Sequence, residues 1–242
     1  MKWHTRFTQQ ATWTRGLRNY IFDKIELENA SRMLEVGCGT GAILSELPGS
    51  VSPHGLDVDP ISLLECRLHA PQAELVQGDA LYLPYSGNSF DIVYSHFLLL
   101  WVRDPLQALQ EMKRVTQANG YVIAFAEPNY MERLDRPPGL IPLGQWQTEA
   151  LKRQGADPSL GRRLAELFFK AGITIIETGT IKSQGKESSL EEWEIEWEVL
   201  ESDLRDSVPE RDIQTMKELD KRAREQGERV LHVPTYFAWG RV

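Results

Sequence analysis

Cysteine is scarce in this sequence, long apolar runs are missing, and positive charge is in deficit. Cys38 and Cys66 are the two cysteines in 242 residues, too few for a disulfide framework and without the paired spacing of a zinc site. A reducing, cytoplasmic setting is therefore expected. The longest apolar stretch, near Phe97 to Val102, falls far short of the roughly 20 residues needed to cross a bilayer. The N-terminal MKWHTRFTQQATWTRGLRNY has no continuous apolar core of the kind that signals export. Neither export nor a membrane-spanning role is expected. Lys and Arg number 27 against 35 Asp and Glu, a net charge of −8, which opposes the diffuse attraction to phosphate behind most nucleic-acid and anionic-membrane binding. A neutral or cationic small substrate fits that balance better. His4, His54, His69 and His232 lie far apart in the chain and suggest no metal triad, so no metal is expected.

What is present is an alternation of strands and helices. The first thirty residues space Trp13, Leu17, Tyr20 and Ile21 as a helix does. Met33 to Gly37 reads as a strand entering a glycine turn, and Ala42 to Leu47 as the helix leaving it before Pro48. Further strands are expected at Ser52–Asp57, Glu74–Gln77, Phe90–Ser95 and Tyr121–Ala126, with helices at Ile61–Leu68 and Pro105–Thr116. This order specifies an α/β fold: a doubly wound, mostly parallel sheet with helices on both faces. Beyond Pro128 the reading gives helices at Leu143–Arg153 and Leu160–Lys170, a strand at Ile173–Ile181 and a final strand at Val230–Val242. The organisation expected is one domain over 1–242: a helical lid at 1–30, a core at 31–128, and helical insertions at 129–156 and 182–229. Seven strands are expected, the last antiparallel.

The string Leu34-Glu35-Val36-Gly37-Cys38-Gly39-Thr40-Gly41 places three alternate glycines where a strand must turn sharply. Glycine permits the dihedrals and lets a ligand approach the backbone. The turn alone is ambiguous, because Gly37, Gly39 and Ala42 also satisfy a dinucleotide fingerprint and Asp57 lies 20 residues after Gly37, where a ribose-binding acid belongs. An NAD-dependent dehydrogenase is a competing reading at this point.

The downstream order separates the two. LEVGCGTG, HGLDVDP, QGDALYLPY, NSFDIVYSHFLLLWV and ALQEMKRVTQANGYVIAFAEP follow one another, and over roughly Leu34 to Pro128 the chain resembles the class I S-adenosylmethionine-dependent methyltransferases, especially their small-molecule branch. The resemblance implies S-adenosyl-L-methionine as cofactor. It implies that Gly37, Gly39 and Gly41 line the amino acid part of the cofactor, with Cys38 a small space-filling residue in the turn and Glu35 orienting the turn or the ammonium group. Asp57, with Val58 beside it, would accept the ribose hydroxyls, Asp79 with Ala80 and Leu81 would meet the adenine, and the Ser95 carbonyl would contact the methionine moiety. By the same resemblance the N-terminal segment folds over the cofactor, with Phe7, Trp13 and Arg15 as a lid and Arg15 free to pair with the cofactor carboxylate.

Methyl transfer from a sulfonium is an in-line displacement, and alignment can supply effective molarities of roughly 10⁵ to 10⁸ M. A base matters only for a protonated nucleophile. His96, Glu127 and Tyr130 follow strands at the expected carboxyl edge and are the candidate catalytic residues, His96 foremost. In Ser189 to Leu204, Trp193, Trp197, Leu200 and Leu204 share one helical face beneath a glutamate-rich one. That face is either a core stripe, the preferred reading, or a cage for a flat or cationic substrate. The expected activity is methyl transfer to an O, N, C or S atom of a small molecule, with RNA or protein methylation, or cofactor binding without catalysis, as alternatives. Oligomeric state and substrate identity are not readable.

Overall fold

The computed structural model describes residues 3–27, 30–181 and 189–242. The chain opens with α1 (Trp3–Lys24), then lays down β1 (Arg32–Val36), β2 (Ser52–Asp57), β3 (Glu74–Gln77) and β4 (Phe90–Ser95). Helix α2 (Pro60–His69) follows β2 and α3 (Pro105–Val115) follows β4. Both start in the same way. Asp59 accepts the Ile61 and Ser62 N–H groups and Asp104 accepts that of Gln107, each with a proline at the first helical position, so the cap and the fixed proline φ mark the start together.

Strands β5 (Thr116–Pro128), β7 (Thr174–Thr180) and β9 (Thr235–Arg241) complete a seven-stranded sheet in the order β3-β2-β1-β4-β5-β9-β7. The first five run parallel, and β9 is antiparallel to both its neighbours. The doubly wound fold with an antiparallel last strand is therefore present as expected. Successive residues face opposite layers. Leu34, Val36, Val93, Val122 and Ala124 pack with α3 and with α5 (Leu160–Lys170), whereas Met33, Ile92, Tyr94, Ile123 and Phe125 pack with Ala11 and Ile21 of α1.

Two expectations need correction. The helix over Ala42–Leu47 is a single 3-10 turn, Leu44–Glu46. Leu47 precedes Pro48 and sits at φ −71°, ψ 142°, the extended geometry that proline imposes on the residue before it. The final strand is also not continuous: Pro234 follows β8 (Val230–His232), which pairs with β6 (Leu134–Arg136), and β9 begins only after it.

The segments expected as insertions fold together. Helix α4 (Ile141–Arg153), α6 (Leu190–Leu204) and α7 (Glu210–Glu225) share a core of Leu140, Leu143, Ala150, Trp193, Trp197, Leu200, Leu204 and Ile213. The start of the second insertion, 182–188, lies outside the described residues. Trp193 and Trp197 are 6% and 1% exposed, and both indole N–H groups donate to Asp220 Oδ2, at 2.5 and 2.9 Å. The tryptophans are thus core residues, and the substrate-cage reading is set aside. Asp220 also pairs with Arg229, Arg229 with Asp135 at 2.9 Å, and Asp135 with Arg133 at 2.7 Å.

Removing one partner from such a buried ionic network leaves charge and donors unpaired. Asp220→Ala should therefore cost about 3 to 5 kcal/mol in urea unfolding followed by tryptophan fluorescence. Glu149→Ala, which breaks an exposed pair with Lys152, should stay within about 0.5 kcal/mol.

Candidate functional site

Parallel register gathers the motifs. Val36 lies opposite both Leu56 and Ser95, and Asp57 opposite Gln77, so the segments after β1, β2, β3 and β4 leave from one carboxyl edge, where open α/β sheets bind ligands. The glycine turn is pinned there by β2. Gly37 and Cys38 donate to the Leu56 carbonyl at 2.7 and 3.0 Å, and Gly39 donates to Asp57 Oδ2 at 2.7 Å. The other oxygen of Asp57 accepts the Asp59 N–H at 3.0 Å. Gly37 has φ +76°, and a β-carbon there would stand 2.7 Å from Leu98 Cδ1.

The remaining residues that the resemblance carried over are placed as follows. Asp79 is exposed, and its Oδ1 accepts the Leu81 N–H at 2.9 Å; Ala80 and Leu81 are buried, and Val58 is 70% exposed. Ser95 is fully buried, and its hydroxyl has no hydrogen-bond partner in the protein. Glu35 is buried beneath the turn, accepts from the Tyr94 hydroxyl at 3.2 Å, and is held well above the usual carboxylate range by burial. Cys38 packs against Leu44 and Cys66. Its thiol is pushed up by a hydrogen bond with Cys66 and by burial, which suits a packing residue rather than a nucleophile.

Helix α1 covers this edge through Phe7, one of the three residues expected, and not through Trp13 or Arg15. Phe7 stands over Gly39, where a β-carbon would come 3.0 Å from its ring, and His4 Nδ1 is 2.9 Å from Thr40 Oγ1. Trp13 instead remains 37% exposed with the Arg6 guanidinium 5.0 Å over its ring. Arg15 is half-exposed and pairs with Glu46 at 2.7 Å, so its guanidinium is already committed. Thr14 and Arg18 were missed by sequence reasoning. Their signal was the spacing of Ala11, Thr14, Arg18 and Ile21, which puts two polar residues on the buried face of α1.

Two of the three candidate bases, His96 and Glu127, are also engaged. His96 Nε2 lies 3.0 Å from Thr14 Oγ1, and Arg18 Nη1 donates to the same hydroxyl at 2.5 Å. Thr14 is thereby left to donate to His96 or to the Ala11 carbonyl. Burial, and then the charge of Arg18, push the His96 imidazole down to about 3, so it is neutral at physiological pH, with its Nε2 turned to the Thr14 hydroxyl of the lid. Glu127 is fully buried and accepts the N–H groups of Leu98, Leu99 and Leu100 at 3.2, 2.9 and 3.2 Å. Burial raises it to about 8 against those three donors. Its work is to cap the 3-10 turn Leu99–Trp101 and so to set Leu98 against Gly37. Tyr130 is half-buried; burial raises its hydroxyl, with Arg6, Arg133, Asp203 and Glu196 within electrostatic reach. Arg6 and Glu196 lie on α1 and α6, which are tied by a 3.1 Å hydrogen bond from Gln9 Nε2 to the Glu192 carbonyl. The polar surroundings of Tyr130 therefore draw on both the lid and helix α6.

One further grouping contradicts the sequence reading. His4 and His69 stack with ring centroids 3.3 Å apart, and Glu65 stands beside them.

Residues 34–124 match the family model described as a methyltransferase domain. The demethylmenaquinone methyltransferase of Staphylococcus haemolyticus is 34% identical over 127 residues, covering 49% of this chain and 51% of that protein. The chain thus spans about half the length of the curated relatives it matches. Among solved structures, phosphoethanolamine N-methyltransferase 2 of Haemonchus contortus, in complex with S-adenosyl-L-methionine, aligns at TM-score 0.56 and 18% identity over 87% of this chain and 48% of its own. The YcgJ protein of Bacillus subtilis aligns at TM-score 0.56 and 16% identity over 90% and 97%. At these identities the structures speak for the fold.

The buried His96 makes a pH prediction. An unfolded chain protonates histidine near 6.5, the folded one only near 3, so the unfolded state binds more protons between these values. Stability from neutral His96 is present above pH 6.5 and drains as pH falls. The stability difference between wild type and His96→Gln should shrink by at most about 1.4 kcal/mol per pH unit below 6.5 and stay flat above 7.5. Parallel stability curves from pH 4.5 to 8 would show that His96 titrates normally.

Proposed function

We propose, from the match of residues 34–124 to the methyltransferase-domain model, that the protein transfers the methyl group of S-adenosylmethionine to a small molecule. The observation that carries the reading is the pinned glycine turn with Asp57 bonded into it and Asp79 on the same carboxyl edge. A cradle that a β-carbon would fill suits close approach of a ligand to the backbone. Asp57 spends one lone pair of each oxygen on backbone N–H groups, and an ionised carboxylate has about four such sites. Capacity for two ribose hydroxyls remains. Gly37, Gly39 and Gly41 would hold the methionine portion with the Ser95 carbonyl, and Asp79 with Ala80 and Leu81 would hold the adenine. When bound, the cofactor supplies an electrophilic methyl group.

The dehydrogenase reading loses its support in the same place. A dinucleotide pyrophosphate sits on the N-terminus of the helix that follows the glycines, and here that position holds only the 3-10 turn Leu44–Glu46.

This chain's own residues align the acceptor and exclude water. Phe7 and His4 close the cofactor side. Tyr130, Arg6, Glu196 and Asp203 line the acceptor side, where the lid meets the canopy. The engaged lone pairs of His96 and Glu127 argue for an acceptor that needs no strong base, with Tyr130 the hydroxyl left to position it. No helix among the described residues is long and apolar enough to cross a membrane. A cytoplasmic enzyme that does not act on nucleic acid, built as one decorated domain, fits the net charge of −8.

Calorimetry should show S-adenosylmethionine and S-adenosylhomocysteine binding and NAD failing to bind. Asp57→Asn should weaken both sulfur ligands by about 1.5 to 3 kcal/mol, and Asp79→Ala should weaken adenine-bearing ligands but spare hypoxanthine analogues. NAD binding without the sulfur ligands would sink the proposal.

A further inference from the structure

The metal-free expectation meets its strongest challenge where α1 crosses α2. His4 comes from the first turn of α1, and Glu65 and His69 come from α2. One ligand atom of each lies within 4.8 Å of the other two. Glu65 and His69 are four residues apart and so project from one helical face. The imidazoles are parallel to within 6° at a centroid distance of 3.3 Å, which brings two nitrogen donors from separate helices together beside a carboxylate.

We propose that His4, Glu65 and His69 form a binding site for one divalent zinc-type ion, which clamps the N-terminal turn of the lid to the core. The donor set is two imidazoles and one carboxylate, the chemistry that selects zinc or nickel over magnesium or calcium. Three protein ligands leave a fourth position for solvent. At metal–ligand bonds of about 2.0 to 2.1 Å, tetrahedral neighbours stand about 3.4 Å apart. The three atoms, now within 4.8 Å of one another, thus need up to about 1.4 Å of further approach, within reach of side-chain rotation that also turns the rings out of their stack. His4 is already oriented for it. Its Nδ1 is 2.9 Å from Thr40 Oγ1, and an Nδ1–H donated there leaves the Nε2 lone pair for a metal once it gives up its long, exposed 3.4 Å contact with Thr8 Oγ1.

The consequence reaches the glycine turn. Thr40 lies between Gly39 and Gly41, and Phe7, one helical turn beyond His4, stands on Gly39. An ion held by α2 therefore fixes the end of α1 that closes over the turn, whether or not a cofactor occupies it.

The test uses the untagged full chain, stripped with a chelator and free of nucleoside ligands, so its outcome stands apart from the methyltransferase reading. Zn²⁺ titrated above neutral pH should bind at one ion per chain and raise the Tm by about 5 to 10 °C at a hundredfold excess over Kd. Co²⁺ should give a visible absorption band. His69→Ala sits at an exposed helix end and should leave the metal-free Tm within about 2 °C while lowering Zn²⁺ affinity at least tenfold; His4→Ala and Glu65→Gln should lower it too. Failure of Zn²⁺ to bind, equal binding by wild type and His69→Ala, or a Tm rise that Mg²⁺ reproduces would each overturn the proposal.

Discussion

Gly37, Gly39 and Gly41 hold φ at +76°, +49° and +80°, a left-handed backbone that costs any other residue roughly 1 to 2 kcal/mol. The cost of a side chain there would not end with the dihedral, since β-carbons at these positions would press on Leu98, Phe7 and Cys66. Three elements thus reach the turn at van der Waals distance only because it has no side chains. Leu98 is in its place because Glu127, buried in β5, gathers the N–H groups of Leu98, Leu99 and Leu100. Asp57 is in its place because β2 pairs with β1 up to the residue before the turn. The end of one strand therefore fixes the geometry of three neighbours, and the carboxyl edge is assembled from backbone before any side chain contributes chemistry.

This explains what could be read from the sequence. Strands β2, β3 and β4 were legible to the residue from their place in the strand–helix alternation, and helices α2 and α3 because a capping aspartate stands directly before a proline. The placement of Gly37 to Gly41, Asp57, Asp79 and Ser95 on one edge followed from strand order read together with the family resemblance. What failed depended on contacts between distant segments. Ala42 to Leu47 has helical spacing, but Pro48 dictates the geometry of Leu47. Arg15 has the charge to meet a carboxylate, and the one it meets belongs to Glu46. Glu127 looked like a base because it ends a strand at the right edge, and nothing local announces that three backbone N–H groups will claim it. His4 and His69 are distant in sequence, and their stacking exists only once α1 has crossed α2.

The two covers over the edge are built on different forces. The canopy of α4, α6 and α7 buries its own apolar core and ties it with the network of Asp220, Arg229 and Asp135, so it is costly to open. The lid is uneven. Ala11, Ile21 and Ile25 anchor the later part of α1 and the residue just beyond it in the core under the sheet. Ahead of Ala11, the attachments are a half-buried Phe7, the stacking of His4 on His69, and hydrogen bonds through His4 and Gln9.

Hydrogen bonds traded for bonds to water contribute only about 0.5 to 1.5 kcal/mol each, whereas a fully buried large apolar side chain contributes about 1.5 to 3. Local opening follows the weakest such segment. The part of the lid that lies over Gly39 and Thr40 is therefore the part that lifts first, while Thr14, Arg18 and Glu46 hold the rest of the helix against the sheet. His96 belongs to that stationary half. Its contact with Thr14 lies in the anchored part of α1, and burial together with the charge of Arg18 keeps the imidazole neutral. On the proposed reading, a residue so fixed shapes the pocket floor and leaves the chemistry to what the acceptor brings.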